Sequence, residues 1–233
     1  MLPFPCPRTR VVCGEGTEGR RGQRRGRRGA MTFEERKRRA LKRLAERGAD
    51  ADIVEILERI NRLENFFTTS SCSGRIVLLK IPHAGSKREA EFIAKWHRPV
   101  SAAEVLLALE NASRRGNTEG CSAASGEASG EREEIWLIEQ PPIIHVACRD
   151  LRSAEEMLKV AYASGFKYSN LKSLKHFVVE ILSTERIDVP LCECGRMLCT
   201  AEYIEFVVSR ANFLLYRAKK KLKRLLENLS SLE

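Results

Sequence analysis

Three times along the chain a hydroxyl residue is followed, three positions later, by glutamate and then by apolar residues at helical spacing. The segments are Thr32-Phe-Glu-Glu35, Ser101-Ala-Ala-Glu104 and Ser153-Ala-Glu-Glu156. In such a capping box the hydroxyl accepts from an early helical N–H and the glutamate returns to the N–H of the cap, so each marks a helix start. Between these starts lie short runs rich in β-branched and aromatic residues, read as strands at Glu91–Trp96, Glu134–Gln140, Ile143–Arg149, Phe166–Ser169, His176–Ser183 and Ile187–Leu191. FFTTSSCSGRIVLLKI (66–81) reads as two further strand segments around a Ser/Gly-rich bend. Capped helices interleaved with hairpin-like strand pairs specify a single α+β domain, with helices packed on an antiparallel or mixed sheet. No GxGxxG marks a strand-to-helix turn and no GxxxxGK[ST] occurs, so a Rossmann fold and a P-loop are not expected.

Two more helices complete the outline. Thr32 opens a basic helix that Gly48 ends, and a second starts near Asp52 with Ile53, Ile56, Ile60 and Leu63 on one side. The last starts near Thr200 and lines up Ile204, Val207, Val208, Ala211, Leu214, Leu215, Ala218, Leu222 and Leu225. The helix from Ser153 is expected to reach Ser164, with Gly165 after its end. A faint echo pairs Phe67-Thr-Thr-Ser-Ser71 with Phe166-Lys-Tyr-Ser-Asn170, each between a helix and an apolar strand. Taken as real, it implies a duplicated unit whose two polar bends share a cleft.

Charge separates the ends from the middle. Residues 1–30 hold eight arginines and two acids, so +6 of the net +10 lies in this Arg/Gly-rich extension, which is too poor in apolar residues to order itself. The domain is therefore taken as 31–230, with Met31 as an alternative start. The tail reads either as a solvated extension or as an RNA-binding arm. Residues 113–131, SRRGNTEGCSAASGEASGE, read as a flexible insertion. No stretch approaches the roughly 18 apolar residues of a membrane span, and a soluble, intracellular protein is expected. Arg210, Arg217, Lys221 and Arg224 share one face of the last helix, either a solvated surface or a ridge that contacts phosphates.

The densest chemistry is Thr68-Thr-Ser-Ser-Cys-Ser-Gly-Arg75. Ser70, Ser71 and Ser73 supply donors and acceptors, Gly74 frees the backbone and Arg75 adds a planar cation, a set suited to a carboxylate, a phosphate or a nucleotide edge. A polar turn held by structural hydrogen bonds is the competing reading. His145 stands among apolar neighbours in PPIIHV, where a polar ring needs a partner or a task, and His97 follows Lys95-Trp96. Cys192, Cys194 and Cys199 lack a fourth ligand for zinc, so a hairpin turning at Gly195 is preferred, with a Cys192–Cys199 bridge as an option. Two other function classes stay open: a non-catalytic RNA-binding module, and a thiol-dependent hydrolase using Cys72 with His145 or His97.

FFTTSSCSGRI (66–76), KWH (95–97), PPIIHVACRD (141–150), the run at 161–169 ending in GFKYS, VVEILSTERIDVPL (178–191) and YIEFVVSRANFLLYR (203–217) occur in an order that resembles the tRNA wybutosine-synthesising protein 3 family. The resemblance spans Thr32 to Leu226. It implies S-adenosylmethionine-dependent methylation, at the N(4) ring nitrogen, of a 4-demethylwyosine-type base 3′ of the anticodon in tRNA(Phe), as part of archaeal tRNA processing. Under it, His145 is the general base with His97 in reserve. Ser70, Ser71, Ser73, Gly74, Arg75 and Ser169 hold donor or base, Arg210, Arg217, Lys221 and Arg224 meet the tRNA, and no metal is required. Asn170 stands where the family usually has glycine, and the 113–131 loop is longer than expected.

Overall fold

The computed structural model describes residues 31–82, 90–115 and 133–233. The 1–30 extension and most of the 113–131 insertion lie outside the described residues. Five α-helices and nine strands are described: α1 (Phe33–Arg47), α2 (Val54–Arg62), β1 (Phe66–Cys72), β2 (Arg75–Pro82), β3 (Glu91–Trp96), α3 (Ala102–Arg115), β4 (Glu133–Gln140), β5 (Ile143–Cys148), α4 (Leu151–Ala163), β6 (Asn170–Ser173), β7 (Val178–Leu182), β8 (Ile187–Glu193), β9 (Arg196–Met197) and α5 (Ala201–Asn228). Every strand pair is antiparallel. The α+β expectation holds, without a doubly wound sheet.

The strands form a four-stranded sheet, β1-β5-β7-β6, and a five-stranded sheet, β3-β2-β4-β8-β9. Consecutive strands β1 and β2 lie in different sheets, as do β4 and β5, and β7 and β8. Three long paths therefore run through both sheets, and the hairpins expected across the bends do not form. Each path is broken once, at Ser73-Gly74, at Pro141-Pro142 and at 183–186, and the breaks lie side by side. The causes are local. Gly74 has φ +89°, and a Cβ there would come within 3.0 Å of Pro142 Cδ and 3.2 Å of the Gln140 carbonyl. Two consecutive prolines remove two ladder donors opposite it.

Helices cover one side of both sheets. α5 supplies Ile204, Val207, Val208, Ala211 and Leu215 to the core of the five-stranded sheet, and Leu222 and Leu225 to the core that α2 and α4 make with the other. α1 lies on the opposite side of the four-stranded sheet, over Phe67, Ala147 and Val178. Its capping box forms as expected, with Thr32 Oγ1 accepting from Glu35 N–H at 3.2 Å.

Several boundaries differ from the sequence reading. Asp150, not Ser153, caps α4: its carboxylate accepts from both the N–H and the hydroxyl of Ser153 at 2.8 Å, so Ser153 is the third helical residue. Residues 166–169 form a turn after Gly165 (φ +96°), and the strand starts at Asn170, so the two halves of the echo adopt different structures. α3 runs on to Arg115, three residues into the expected loop. Cys192 and Cys199 are free, since Met197 faces Cys192 across the β8–β9 hairpin.

Candidate active site

The side of the four-stranded sheet that carries α1 also carries a row of polar residues. Phe67, Ala147 and Val178 are cross-strand neighbours beneath α1, and one pleat repeat further along stand Ser70, His145, Glu180 and Asn170. A β-bulge at Thr69 brings Ser70, rather than Thr69, opposite His145. A second irregularity in β6 brings Lys172 to Glu180.

His145 is held at both ring nitrogens: Nδ1 lies 2.5 Å from Ser70 Oγ and Nε2 lies 2.7 Å from Glu180 Oε1. A carboxylate only accepts, so Nε2 carries the hydrogen, and in the neutral ring Nδ1 accepts from the Ser70 hydroxyl. Glu180 also pairs with Lys172 and accepts from Asn170 Nδ2 at 3.3 Å. The His145 side chain retains 19% of its exposure and that of Glu180 11%, while Ser70 is exposed. A hydroxyl, an imidazole and a carboxylate in line, reachable at the hydroxyl end, have the geometry to pass a proton.

Three residues along β1 a second cluster forms at the strand break. The Ser73 N–H donates to Asp50 Oδ2 at 2.8 Å, and its hydroxyl lies 3.4 Å from His97 Nδ1. One ligand atom each from Asp50, Cys72 and His97 lies within 4.8 Å of the others, the one such group among the described residues with the donors for a metal ion. The two histidines are thus seated on different serines, His145 on Ser70 and His97 on Ser73. Arg75 Nε donates to Gln140 Oε1 at 2.7 Å, and its guanidinium lies over the Phe92 ring.

At the third break, Lys221 Nζ donates to Glu185 Oε2 at 2.6 Å, and both side chains are buried. Burial would raise the Glu185 carboxyl, but the hydrogen bond and charge of Lys221 hold it below its ordinary value. Nearby Glu139 is fully buried, and neither of its carboxylate oxygens has a hydrogen-bond partner. Burial, then the charges of Glu185 and Asp188, push its pKa up to about 9 against the opposing pull of Arg186.

Several candidates are placed otherwise than the sequence suggested. Ser73 is completely buried, so it fastens the break rather than facing a ligand. Ser169 is buried as well, its hydroxyl donating to the Phe166 carbonyl and accepting from Leu182 N–H. Lys221 leaves the basic face of α5 for Glu185, whereas Arg210, Arg217 and Arg224 stay exposed. The pairing of His145 with Ser70 removes it as a partner for Cys72. Asn170 needs no left-handed backbone, and instead bonds the site carboxylate. Glu180 and Lys172 were missed, although an acid inside the apolar run FVVEIL calls for a partner.

Residues 35–231 match the family model described as Methyltransferase TYW3. A Thermococcus kodakarensis protein named tRNA(Phe) 7-((3-amino-3-carboxypropyl)-4-demethylwyosine(37)-N(4))-methyltransferase 1 is 43% identical over 207 residues, covering 86% of this chain and 96% of its own. An Archaeoglobus fulgidus protein named as the corresponding methyltransferase is 41% identical over 188 residues, 81% of this chain and 86% of its own. Among solved structures, the PH1069 protein of Pyrococcus horikoshii superimposes with a TM-score of 0.71 at 40% identity, covering 85% of this chain and 96% of that one. A hypothetical protein from Aeropyrum pernix gives 0.61 at 27% identity, covering 78% and 98%.

Proposed function

The chain belongs to the TYW3 methyltransferase family, and from that premise we propose how its residues act on the substrate that the relatives' names specify. It is a tRNA N-methyltransferase of wybutosine-derivative biosynthesis. The substrate is tRNA(Phe) carrying 7-(3-amino-3-carboxypropyl)-4-demethylwyosine, and the methyl goes to N(4). A tRNA substrate implies a cytoplasmic protein. Among the described residues no helix is long and apolar enough to cross a membrane.

The donor in this reading is S-adenosylmethionine, which when bound supplies an electrophilic methyl on a sulfonium. The donor set fits such a group: Arg75 offers a guanidinium for its carboxylate, and Ser70 and Ser71 offer hydroxyls that are not buried. The target base also carries a carboxylate on its aminocarboxypropyl arm, and Arg75 suits either one. Gly74 sets the break that positions Arg75.

The observation that carries the mechanism is the row Ser70, His145, Glu180. As the ring nitrogen bonds the methyl carbon, the carbon–sulfur bond breaks with its electron pair left on a neutral sulfur, and the nitrogen sheds a proton to His145 Nδ1, directly or through the Ser70 hydroxyl. Glu180 keeps Nε2 protonated, so the basic lone pair is on Nδ1, and it stabilises the imidazolium that results. Lys172 and Asn170 hold Glu180 in place. His97 secures Ser73 together with Asp50 and serves as a positioning residue.

The test is single-turnover methylation of tRNA carrying the demethyl base, followed against pH for wild type, His145→Ala and His97→Ala. His145→Ala is expected to lower the rate roughly 10²–10⁴-fold with little change in KM, and to abolish the rise of rate through the histidine range. His97→Ala should raise KM and keep the pH profile. A wild-type rate and profile in His145→Ala would overturn the assignment of the base.

A further inference from the structure

α5 buries one stripe and leaves large apolar side chains on the other. Tyr203, Phe206, Phe213 and Tyr216 are 45%, 56%, 48% and 55% exposed, on a helix whose inner face already fills both cores. Cations alternate with them at spacings of three and four: Arg210 lies over the Phe206 ring at 5.3 Å, Arg217 over Phe213 at 5.8 Å and Lys220 over Tyr216 at 4.6 Å. Between Glu205 and Glu227 the helix has no acidic residue and seven lysines and arginines. From Tyr203 to Arg224 this face is about 30 Å long.

We propose that this face of α5 is a stacking platform for unpaired bases of the substrate RNA. The inference rests on the tRNA reading above and adds to it the strand state of the RNA and the residues that hold it. Cations alone would serve a duplex backbone, and aromatics alone would serve an apolar protein surface. Their alternation matches a single strand, whose phosphates carry charge and whose bases present π faces. The face also adjoins the strand breaks, with the Ser70, His145, Glu180 row on the other side of the four-stranded sheet. Lys219, on its flank, donates to the His97 carbonyl at 3.2 Å and pairs with Asp52, and Arg217 reaches to within 3.6 Å of Glu185 at the third strand break. Bases stacked along α5 therefore lie beside the strand breaks.

The experiment measures affinity of the full chain for demethyl tRNA(Phe), a single-stranded oligonucleotide and a stem duplex, each across a salt series. The proteins are wild type, Phe206→Ser/Phe213→Ser and Arg210→Gln/Arg224→Gln, all checked for a wild-type thermal transition. The aromatic pair is expected to lose roughly tenfold or more in affinity for tRNA and the oligonucleotide, with an unchanged slope of log K against log salt and unchanged duplex binding. The arginine pair should flatten the slope for all three. Undiminished tRNA binding in the aromatic variant overturns the proposal, as does equal loss on the duplex. Wild-type self-association that the aromatic variant abolishes, with tRNA binding intact, assigns the face to a second copy instead. A wild-type protein that neither binds nor methylates the tRNA refutes the underlying reading rather than the platform.

Discussion

Two carboxylates sit on central strands of the two sheets, Glu180 in the middle of β7 and Glu139 one residue from the end of β4. Glu180 in β7 touches His145, Lys172 and Asn170 and stands on the side of the sheet that solvent reaches. Glu139 in β4 has no hydrogen-bond partner and no exposure. A carboxylate with donors around it orients an imidazole and offsets its charge. One without them is held neutral, its pKa pushed up to about 9 by burial and by Glu185 and Asp188. Burial in an apolar strand thus says little about role, and what decides is whether the fold brings a cation or donor to the acid.

Glu185 is the intermediate case, buried like Glu139 but supplied with a partner, and it gives the largest stability effect. Lys221→Ala would leave Glu185 buried without its ammonium, which is expected to cost about 3 kcal/mol or more in a denaturant titration. A loss under 1 kcal/mol would mean that Arg217 replaces it. Gly74→Ala comes next: with φ +89° and a Cβ 3.0 Å from Pro142, it should cost about 1–3 kcal/mol and disturb Arg75, read as a raised KM.

Glu139→Gln is expected to have the smallest effect at acid pH and one that grows with pH. The folded pKa of about 9 lies above the unfolded value of roughly 4.3, so the folded state holds an extra proton between them. Wild-type stability should then fall as pH rises through that window, and level off above it. The Gln variant lacks this slope, so its advantage widens from acid to alkaline pH. Parallel stability curves would show that Glu139 has found a partner.

Local chemistry was legible in the sequence, and long-range pairing was not. β3 is found at Glu91–Trp96, where periodicity put it, Thr32 caps α1, and α5 follows Thr200. Hydroxyls, glycine and arginine at 70–75 marked one end of the site, and an apolar context marked His145. What joined them was a bulge at Thr69 and a register between strands some seventy-five residues apart, which no local window contains. Ser153 was read as a cap because its box is well formed, yet Asp150 competes for the same N–H and wins. Lys221 fell at the border of the apolar and basic stripes of α5, and only Glu185, 36 residues earlier, decides which side it takes.

The comparison of the two acids is tested most directly by one measurement: single-turnover methylation of demethyl tRNA(Phe) against pH for wild type, Glu180→Gln and Glu139→Gln. Glu180→Gln is expected to lower the rate by roughly tenfold or more with KM unchanged and a displaced pH profile, because the imidazolium at His145 loses its counter-charge. Glu139→Gln should retain the wild-type rate and profile. Equal rates in wild type and Glu180→Gln, or a loss confined to Glu139→Gln, would contradict the assignment of the Ser70, His145, Glu180 row as the proton relay.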